Sequence, residues 1–105
     1  MLNIEIVWDA IHRVTKISRE NMLSPSRRWP DVEARMLFML FLSRRGETHE
    51  KISLFLGRKR CTITQSLHKA EDYYMMSKSF QEKYTKLKNL YEESQSVRLS
   101  QNRLP

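Results

Sequence analysis

The sequence is poor in residues that turn a chain sharply, with two glycines and three prolines in 105 residues. A β-rich fold needs many tight turns, so this scarcity favours long helices joined by short loops. One cysteine is present, so the chain can form no internal disulfide, which agrees with a reducing, cytoplasmic location. The sequence does not begin with a basic segment followed by an apolar stretch, so no secretion signal is expected.

Long hydrophobic runs are also missing. The longest run, residues 36–42, has seven residues, whereas a membrane span needs about 20. We therefore expect no membrane partner, and we predict that this run is a buried core segment.

Charge of one sign is in excess. The 19 lysines and arginines outnumber the 12 aspartates and glutamates, which gives a net charge of +7 at pH 7. Cations laid against phosphates release condensed counterions, so a polyanionic partner is the physical expectation. The alternative is a basic soluble protein without such a partner, and the placement of the charges must decide between the two.

Apolar residues recur at helical spacing along most of the chain. This periodicity predicts an all-α fold, a compact bundle of about six helices in a single domain over residues 1–95. Residues 96–105 lose the periodicity and are predicted to be a frayed tail. The last helix, from about Ser79 to Glu93, is expected to cover the core or, alternatively, to make a homodimer.

Residues typical of helix boundaries mark the helices in the first half of the chain. An amphipathic helix is predicted over residues 3–14, and Ser18 is a predicted N-cap of a short helix. Residues 24–30 contain two prolines and two serines, which predicts an ordered loop. Pro30 suits the first position of a central helix that ends just before Gly46.

Residues 48–74 have the anatomy of a helix-turn-helix. Thr48 is expected to cap a short helix that ends at Leu56, and Gly57 supplies the turn. From about Arg60 a longer helix carries apolar residues on one face only, at positions 63, 67, 70 and 74. The alternative is a helical corner of the kind that many bundles contain.

The second helix of this unit has the chemistry for reading DNA. A helix fits the major groove of B-DNA, where short polar side chains near its N-terminus reach base edges. Gln65 can pair with adenine, and Thr62 can offer its hydroxyl or meet a thymine methyl. The basic run 58–60 stands where phosphates or guanines would lie; the alternative is that it is only a solvated turn.

The segment 56–72, Leu-Gly-Arg-Lys-Arg-Cys-Thr-Ile-Thr-Gln-Ser-Leu-His-Lys-Ala-Glu-Asp, resembles the signature of the C-terminal DNA-binding domain of the bacterial replication initiator DnaA. That signature reads Gly-Arg-Asp-His-Ser/Thr-Thr-Val and continues through a His, a small residue, a Lys and a Glu. Residues 21–24 resemble the family's Asp-Leu-Leu-Ser. Arg35 falls at an arginine early in the family's central helix, and Thr48 falls at its capping Ser. The resemblance spans residues 17–91.

The resemblance implies a variant helix-turn-helix of the Trp-repressor-like kind that binds double-stranded DNA. It implies that Arg27, with Arg28 beside it, enters the minor groove, and that residues 58–62 contact the major groove and the phosphates. The family's Asp and His are replaced here by Lys59 and Arg60, which prefer guanine or phosphate. We therefore expect stronger phosphate binding and an altered sequence preference.

The sequence contains no Gly-x-x-x-x-Gly-Lys-Ser/Thr motif, so ATP-driven replication initiation is not expected of this chain alone. A part in transcriptional or replication-related regulation at the bacterial nucleoid is the expectation. The alternative from a different class is a helical protein-interaction adaptor that keeps this scaffold without reading DNA. The adaptor predicts that the basic residues scatter over the surface, whereas DNA binding predicts that they share one face.

The residues predicted to bind DNA are Arg27, Arg28, Arg35, Thr48, Arg58, Lys59, Arg60, Cys61, Thr62, Gln65, Ser66 and Lys69. No nucleophile–base pair or glycine-rich phosphate loop is visible, so we expect no enzyme, cofactor or small-molecule substrate. The three histidines and the one cysteine lack the clustered spacing of a metal site, so no bound metal is expected. The chain is expected to be a monomer or a homodimer.

Overall fold

Six α-helices make up the part of the chain that the structure describes. The computed structural model describes residues 2–103, with side chains described as far as Ser96. In chain order the helices are α1 (Ile4–Thr15), α2 (Arg19–Leu23), α3 (Trp29–Arg44), α4 (His49–Leu56), α5 (Arg60–Met76) and α6 (Lys78–Arg103). No strand occurs within residues 2–103. The prediction of an all-α fold of about six helices is confirmed.

Local chemistry accounts for the helix boundaries. The Asn3 side chain accepts hydrogen bonds from two amides at the start of α1, and Ser18 and Thr48 each accept one at the starts of α2 and α4. These side chains satisfy amides that have no partner inside the helix. Gly46 and Gly57 follow α3 and α4 with φ angles of 92° and 65°, a left-handed conformation that costs glycine little. The predicted caps and both glycine stops are confirmed.

The central helix α3 contacts each of the other five helices. Every residue from Ala34 to Leu42 is buried, so the helix is enclosed on all sides, as its uniformly apolar middle predicts. The ring of Trp8 in α1 stacks on that of Phe38 in α3 with 4.2 Å between centroids. Each large apolar side chain buried in this way contributes about 1.5–3 kcal/mol, so α3 is the main source of hydrophobic stabilisation.

The last helix, α6, closes the core against α1. Its Phe80, Tyr84, Leu87 and Tyr91 are buried at the helical spacing that the sequence predicts. The Tyr91 hydroxyl accepts a hydrogen bond from the Asn3 amide at 2.9 Å, which joins the start of α1 to α6. The expectation that the last helix covers the core is confirmed.

The end of α6 lies later than the sequence predicts. The helix continues to Arg103, so the predicted end near Glu93 is wrong. Apolar periodicity marks a helix that packs, but a polar segment without glycine or proline can also continue a helix. Residues 104 and 105 lie outside the described residues. Within residues 2–103, no helix has both the length and the apolar composition that a membrane span requires.

Helix α5 crosses α3 near its own C-terminal end. The ring of Tyr73 lies edge-on to Trp29 at the start of α3, with 5.2 Å between centroids. The guanidinium of Arg44 at the end of α3 lies 4.2 Å from the centre of the Tyr74 ring. The two adjacent tyrosines therefore point toward opposite ends of α3, and both are half-buried at the edge of the core.

Candidate nucleic-acid interface

The loop between α2 and α3 is tied to the start of α3 by side-chain hydrogen bonds. The Ser26 hydroxyl donates to the Asp31 carboxylate at 2.6 Å, and the Arg28 amide donates to the Ser26 hydroxyl oxygen at 3.3 Å. Asp31 is buried, so its carboxylate is held in place by the core. The loop that carries Arg27 and Arg28 is ordered for this reason, as the sequence predicts.

The same loop is joined to the segment that precedes α5. The main-chain carbonyl of Ser24 accepts hydrogen bonds from Nη2 of Arg35 at 2.7 Å and from Nη2 of Arg58 at 2.8 Å. Hydrogen bonds from charged donors contribute about 1.5–3 kcal/mol each. Arg35 belongs to α3 and Arg58 to the α4–α5 turn, so one carbonyl connects the loop, the central helix and the turn.

Arg35 supports the loop instead of facing solvent. Its side chain also donates to the carbonyls of Met22 and Asn21, at 2.7 and 3.3 Å, and the residue is only 7% exposed. Burial lowers the pKa of Arg35, and the nearby Arg58 guanidinium lowers it further, whereas the Asp31 carboxylate raises it. The prediction that Arg35 contacts DNA stays a prediction; in the structure its Nε and Nη2 donate to the protein's own main chain.

Helix α5 is buried on one face and open on another. Ile63, Leu67 and Ala70 are buried, in the half-buried arrangement that the spacing predicts. Among the predicted DNA-contacting residues of this helix, Arg60, Cys61, Thr62, Gln65 and Lys69 are exposed and Ser66 is half-buried. Thr62, Ser66 and Lys69 follow the spacing i, i+4, i+7, so they form one row along the helix.

The arginine-bearing loop shares one cleft with Ser66 and Lys69 of this row. The cleft has a volume of about 330 Å³, and its floor is apolar, formed by Val32, Met36 and Met39 of α3. Its polar lining consists of Arg27 from the loop, Arg35 from α3, Arg58 from the turn, and Ser66 and Lys69 from α5. Four cations from four segments of the chain therefore surround a cavity that no carboxylate lines.

The basic residues around this cleft are not neutralised by the protein. Among the side chains that the structure describes, no carboxylate forms an ion pair with Arg27, Arg28, Lys59, Arg60 or Lys69. Arginines elsewhere do have such partners: Arg13, Arg19, Arg44 and Arg45 each pair with an Asp or a Glu. Lys16, Lys78, Lys86 and Lys88 also form no ion pair among the described side chains, so the surface beside the loop and α5 is distinguished by the number of unpaired cations it holds, five in all.

Two helices begin at this surface without a side-chain cap. Arg28 is the N-cap residue of α3 and Lys59 that of α5, and neither offers a hydrogen-bond acceptor. Cations are unfavourable at a helix N-terminus, which carries a partial positive charge and attracts anions. The first turn of α5 also has no acidic residue. The start of α3 keeps Pro30 and Asp31, which suit a helix N-terminus, so only the start of α5 lacks all of these stabilising features.

Thr48 and Cys61 lie at the edges of the surface. Thr48 is exposed, and its hydroxyl oxygen accepts from the Lys51 amide at 3.2 Å as the cap of α4. His49 Nδ1 and Thr64 Oγ1 are 2.8 Å apart, which places the start of α4 beside the first turns of α5. Cys61 is a free, exposed thiol in the first turn of α5.

Several residues of the site were missed in the sequence. Ser24 and Ser26 order the loop, and Asp31, expected only to complement the start of α3, also accepts the Ser26 hydroxyl. Trp29 and Tyr73 form the edge where α3 meets α5. Ser24 and Ser26 have a local sequence signal, since they lie just before a helix with an acidic first turn. No sequence signal joins residues 29 and 73.

Comparison of the chain with protein-family models and with curated protein sequences finds no match. In the described part of the chain, no three His, Cys, Asp or Glu side chains lie close enough together to hold a metal ion.

Proposed function

We propose that this chain binds double-stranded DNA, with α5 in the major groove and the loop before α3 in the adjacent minor groove. One observation carries the proposal: the unpaired Arg27 of the loop lines the same cleft as Ser66 and Lys69, two members of the outward row of α5. In this proposal α4, the turn at Gly57 and α5 act as a helix-turn-helix.

The dimensions of α5 suit this mode of binding. Its 17 residues make a rod about 25 Å long, and the major groove is about 12 Å wide, enough for one helix. Thr62 and Lys69 are seven residues apart, so they are separated by about 10 Å along the helix axis. That distance corresponds to about three base-pair steps, a normal span for the base contacts of one recognition helix.

Each exposed residue has a role that its chemistry supports. Arg28, Lys59 and Arg60 would neutralise phosphates at the two uncapped helix starts. Arg27 would enter the minor groove, where arginine reads width and potential. Thr62 and Gln65 would meet base edges in the major groove.

The surrounding residues would support these contacts. Arg35 and Arg58 would hold the loop in position through the Ser24 carbonyl. Ser66, Lys69 and Cys61 would lie at the margins of the contact.

The order of elements supports the proposed likeness to the DnaA C-terminal domain. A basic loop, a central helix, a short capped helix, a glycine turn and a longer helix follow one another here as in that family's signature region. Under this proposal, Lys59 and Arg60 replace the residues that would favour the initiator's usual box. The chain would then bind a different sequence, in transcriptional or replication-related regulation.

The adaptor alternative has one observation in its favour. Met75 and Met76 at the end of α5 are 76% and 85% exposed, and flexible exposed methionines suit protein contacts. They stand at the opposite end of α5 from Arg60, however, and no concentration of unpaired charge accompanies them. The gathering of cations around the loop favours DNA, because an adaptor has no need for it.

The proposal is tested by removing charge from two surfaces in matched amounts. The variant Arg28→Ala/Lys59→Ala/Arg60→Ala removes exposed, unpaired cations beside the cleft and leaves Arg58 and its bond to Ser24 intact. The control variant Lys78→Ala/Lys86→Ala/Lys88→Ala removes the same charge from exposed positions on α6. Binding of a labelled random duplex is measured by fluorescence anisotropy over a series of salt concentrations.

The wild type is expected to bind in low salt, with affinity that falls steeply as salt rises. The first variant should bind about tenfold or more weakly, a loss of about 1.4 kcal/mol or more. Its plot of log affinity against log salt should lose about 0.9 in slope for each phosphate contact removed. Equal losses in the two variants would contradict a defined interface, and no binding by the wild type would support the adaptor.

A further inference from the structure

The two tryptophans of the chain have opposite environments. Trp8 is 6% exposed and stacks on Phe38 in the core. Trp29 is 50% exposed, although an indole is among the largest apolar groups that a protein can leave in water. The half of Trp29 that faces solvent therefore contributes nothing to the core.

The exposed ring is held in one position. Trp29 is the first residue of α3, and its ring meets that of Tyr73 edge-on, at 5.2 Å and 85°. The Tyr73 hydroxyl donates to the buried Glu33 at 3.4 Å, and its ring packs on that of Phe80 at 4.7 Å. Trp29 is thus supported from behind by a side chain that is itself fixed, so a contact made by its free side would cost little conformational entropy.

The exposed ring lies where the two halves of the proposed DNA interface meet. Arg27 and Arg28 immediately precede Trp29 in the chain. Tyr73, its packing partner, continues the row of Thr62, Ser66 and Lys69 along α5, four residues after Lys69. Trp29 is therefore continuous with both the basic loop and the outward row of α5, at the end remote from the turn.

We propose that Trp29 makes an apolar contact with the sugars and bases of the bound duplex, beside the minor groove that Arg27 enters. This inference rests on the DNA binding proposed above. Proteins that bind the minor groove with arginines frequently insert apolar side chains at base steps of the duplex, which partly unstacks those steps. Arg28 would hold a phosphate close while Arg27 enters the minor groove, and the indole would exclude water from the adjacent sugar surface.

Fluorescence tests this contact directly, because the other tryptophan is buried and serves as a reference. Wild type and Trp29→Phe are titrated with a random duplex, and tryptophan emission and its quenching by acrylamide are recorded. In the wild type, saturating DNA should change the emission and lower the quenching by acrylamide. Trp29→Phe, which emits from Trp8 alone, should show neither change. Trp29→Ala should bind DNA about tenfold more weakly and Trp29→Phe within about threefold of wild type.

The outcomes separate this inference from the function on which it rests. If the wild type binds DNA in a salt-dependent manner but Trp29 stays fully open to acrylamide, the contact is refuted and DNA binding stands. If the wild type binds no DNA, both proposals fail together. Should Trp29→Ala prove unfolded by circular dichroism, the fluorescence of the wild type still decides, since it needs no loss-of-function variant.

Discussion

Two pairs of adjacent arginines sit at opposite ends of α3, and the protein treats them differently. Arg44 donates to Glu71 at 3.0 Å and lies over the rings of Tyr74 and Tyr84, at 4.2 and 4.9 Å. Arg27 and Arg28, before the other end, are exposed and pair with no carboxylate among the described side chains. The same Arg-Arg dipeptide contacts other side chains at one end of the helix and has no carboxylate partner at the other.

Arg45, the neighbour of Arg44, also has partners, although both side chains are about one-third exposed. Arg45 lies 4.7 Å from the centre of the Tyr91 ring and pairs with Glu92 at 3.5 Å. Burial on its own would lower the pKa of Arg44, but hydrogen bonds to Glu71, Tyr74 and Tyr84 outweigh it and raise the pKa. These cations are used to hold α3, α5 and α6 together.

The comparison shows that the net charge of a chain does not locate a binding surface. All four arginines add equally to the charge of +7, yet only the pair in the loop remains available to a polyanion. Unpaired cations near one another repel and cost stability, and the proposed DNA contact would offset that repulsion. Three experiments test this difference between the two ends of α3, in order of decreasing expected effect.

The largest effect is expected from Arg35→Ala. The change removes three hydrogen bonds from a charged donor, which contribute about 1.5–3 kcal/mol each, and leaves the Met22 carbonyl without that donor. The Ser24 carbonyl keeps its bond from Arg58, and the Asn21 carbonyl keeps those from the Ser24 amide and hydroxyl. We expect a loss of about 3 kcal/mol or more in the free energy of unfolding, measured by chemical denaturation. Arg28→Ala, on an exposed side chain, should change that free energy by about 0.5 kcal/mol or less. Equal effects of the two changes would mean that Arg35 does not hold the loop.

Substitutions at the two ends of α3 are expected to have opposite effects, one on stability and the other on DNA binding. Arg44→Ala removes one ion pair and two cation–π contacts at a partly exposed site, which should lower the free energy of unfolding by about 1–2 kcal/mol. DNA affinity should stay within about twofold of wild type, since Arg44 lies outside the cleft. Arg28→Ala should do the reverse and weaken DNA binding severalfold without a measurable loss of stability. Denaturation and anisotropy on both variants check this; a loss of DNA affinity in Arg44→Ala would remove the distinction between the two ends.

The smallest effect is expected from a cap introduced where the protein lacks one. Lys59 has the extended backbone of an N-cap residue, so Lys59→Asp can accept from the first amides of α5. The free energy of unfolding should rise by about 1 kcal/mol, whereas DNA binding should weaken because a carboxylate now faces the phosphates. Thr48→Ala is the matched control, since it removes a cap from α4 and should lower stability by about 1 kcal/mol. Tighter DNA binding by Lys59→Asp would contradict the placement of phosphate at this helix start.

Much of the helical framework was predictable because its signals are local. Ser18, Thr48, Gly46 and Gly57 each determine a boundary through the chemistry of a single residue, and the structure has its helix ends there. The end of α6 was mispredicted because apolar periodicity reports packing and not helicity. The support that Arg35 gives to the loop was not predicted, because its partners are carbonyls 11 to 14 residues away and no local pattern indicates that a charged side chain will be buried.

By itself, the sequence determined which segments are helical, which face of α5 is apolar and how much positive charge the chain carries. These properties depend on neighbours within a few residues, through capping, spacing and composition. Which cations have no side-chain partner depends on the tertiary structure. Whether an arginine meets a carboxylate, an aromatic ring or open solvent depends on how helices cross, and the crossing of α5 over α3 brings the loop together with Ser66 and Lys69 of α5 at one cleft.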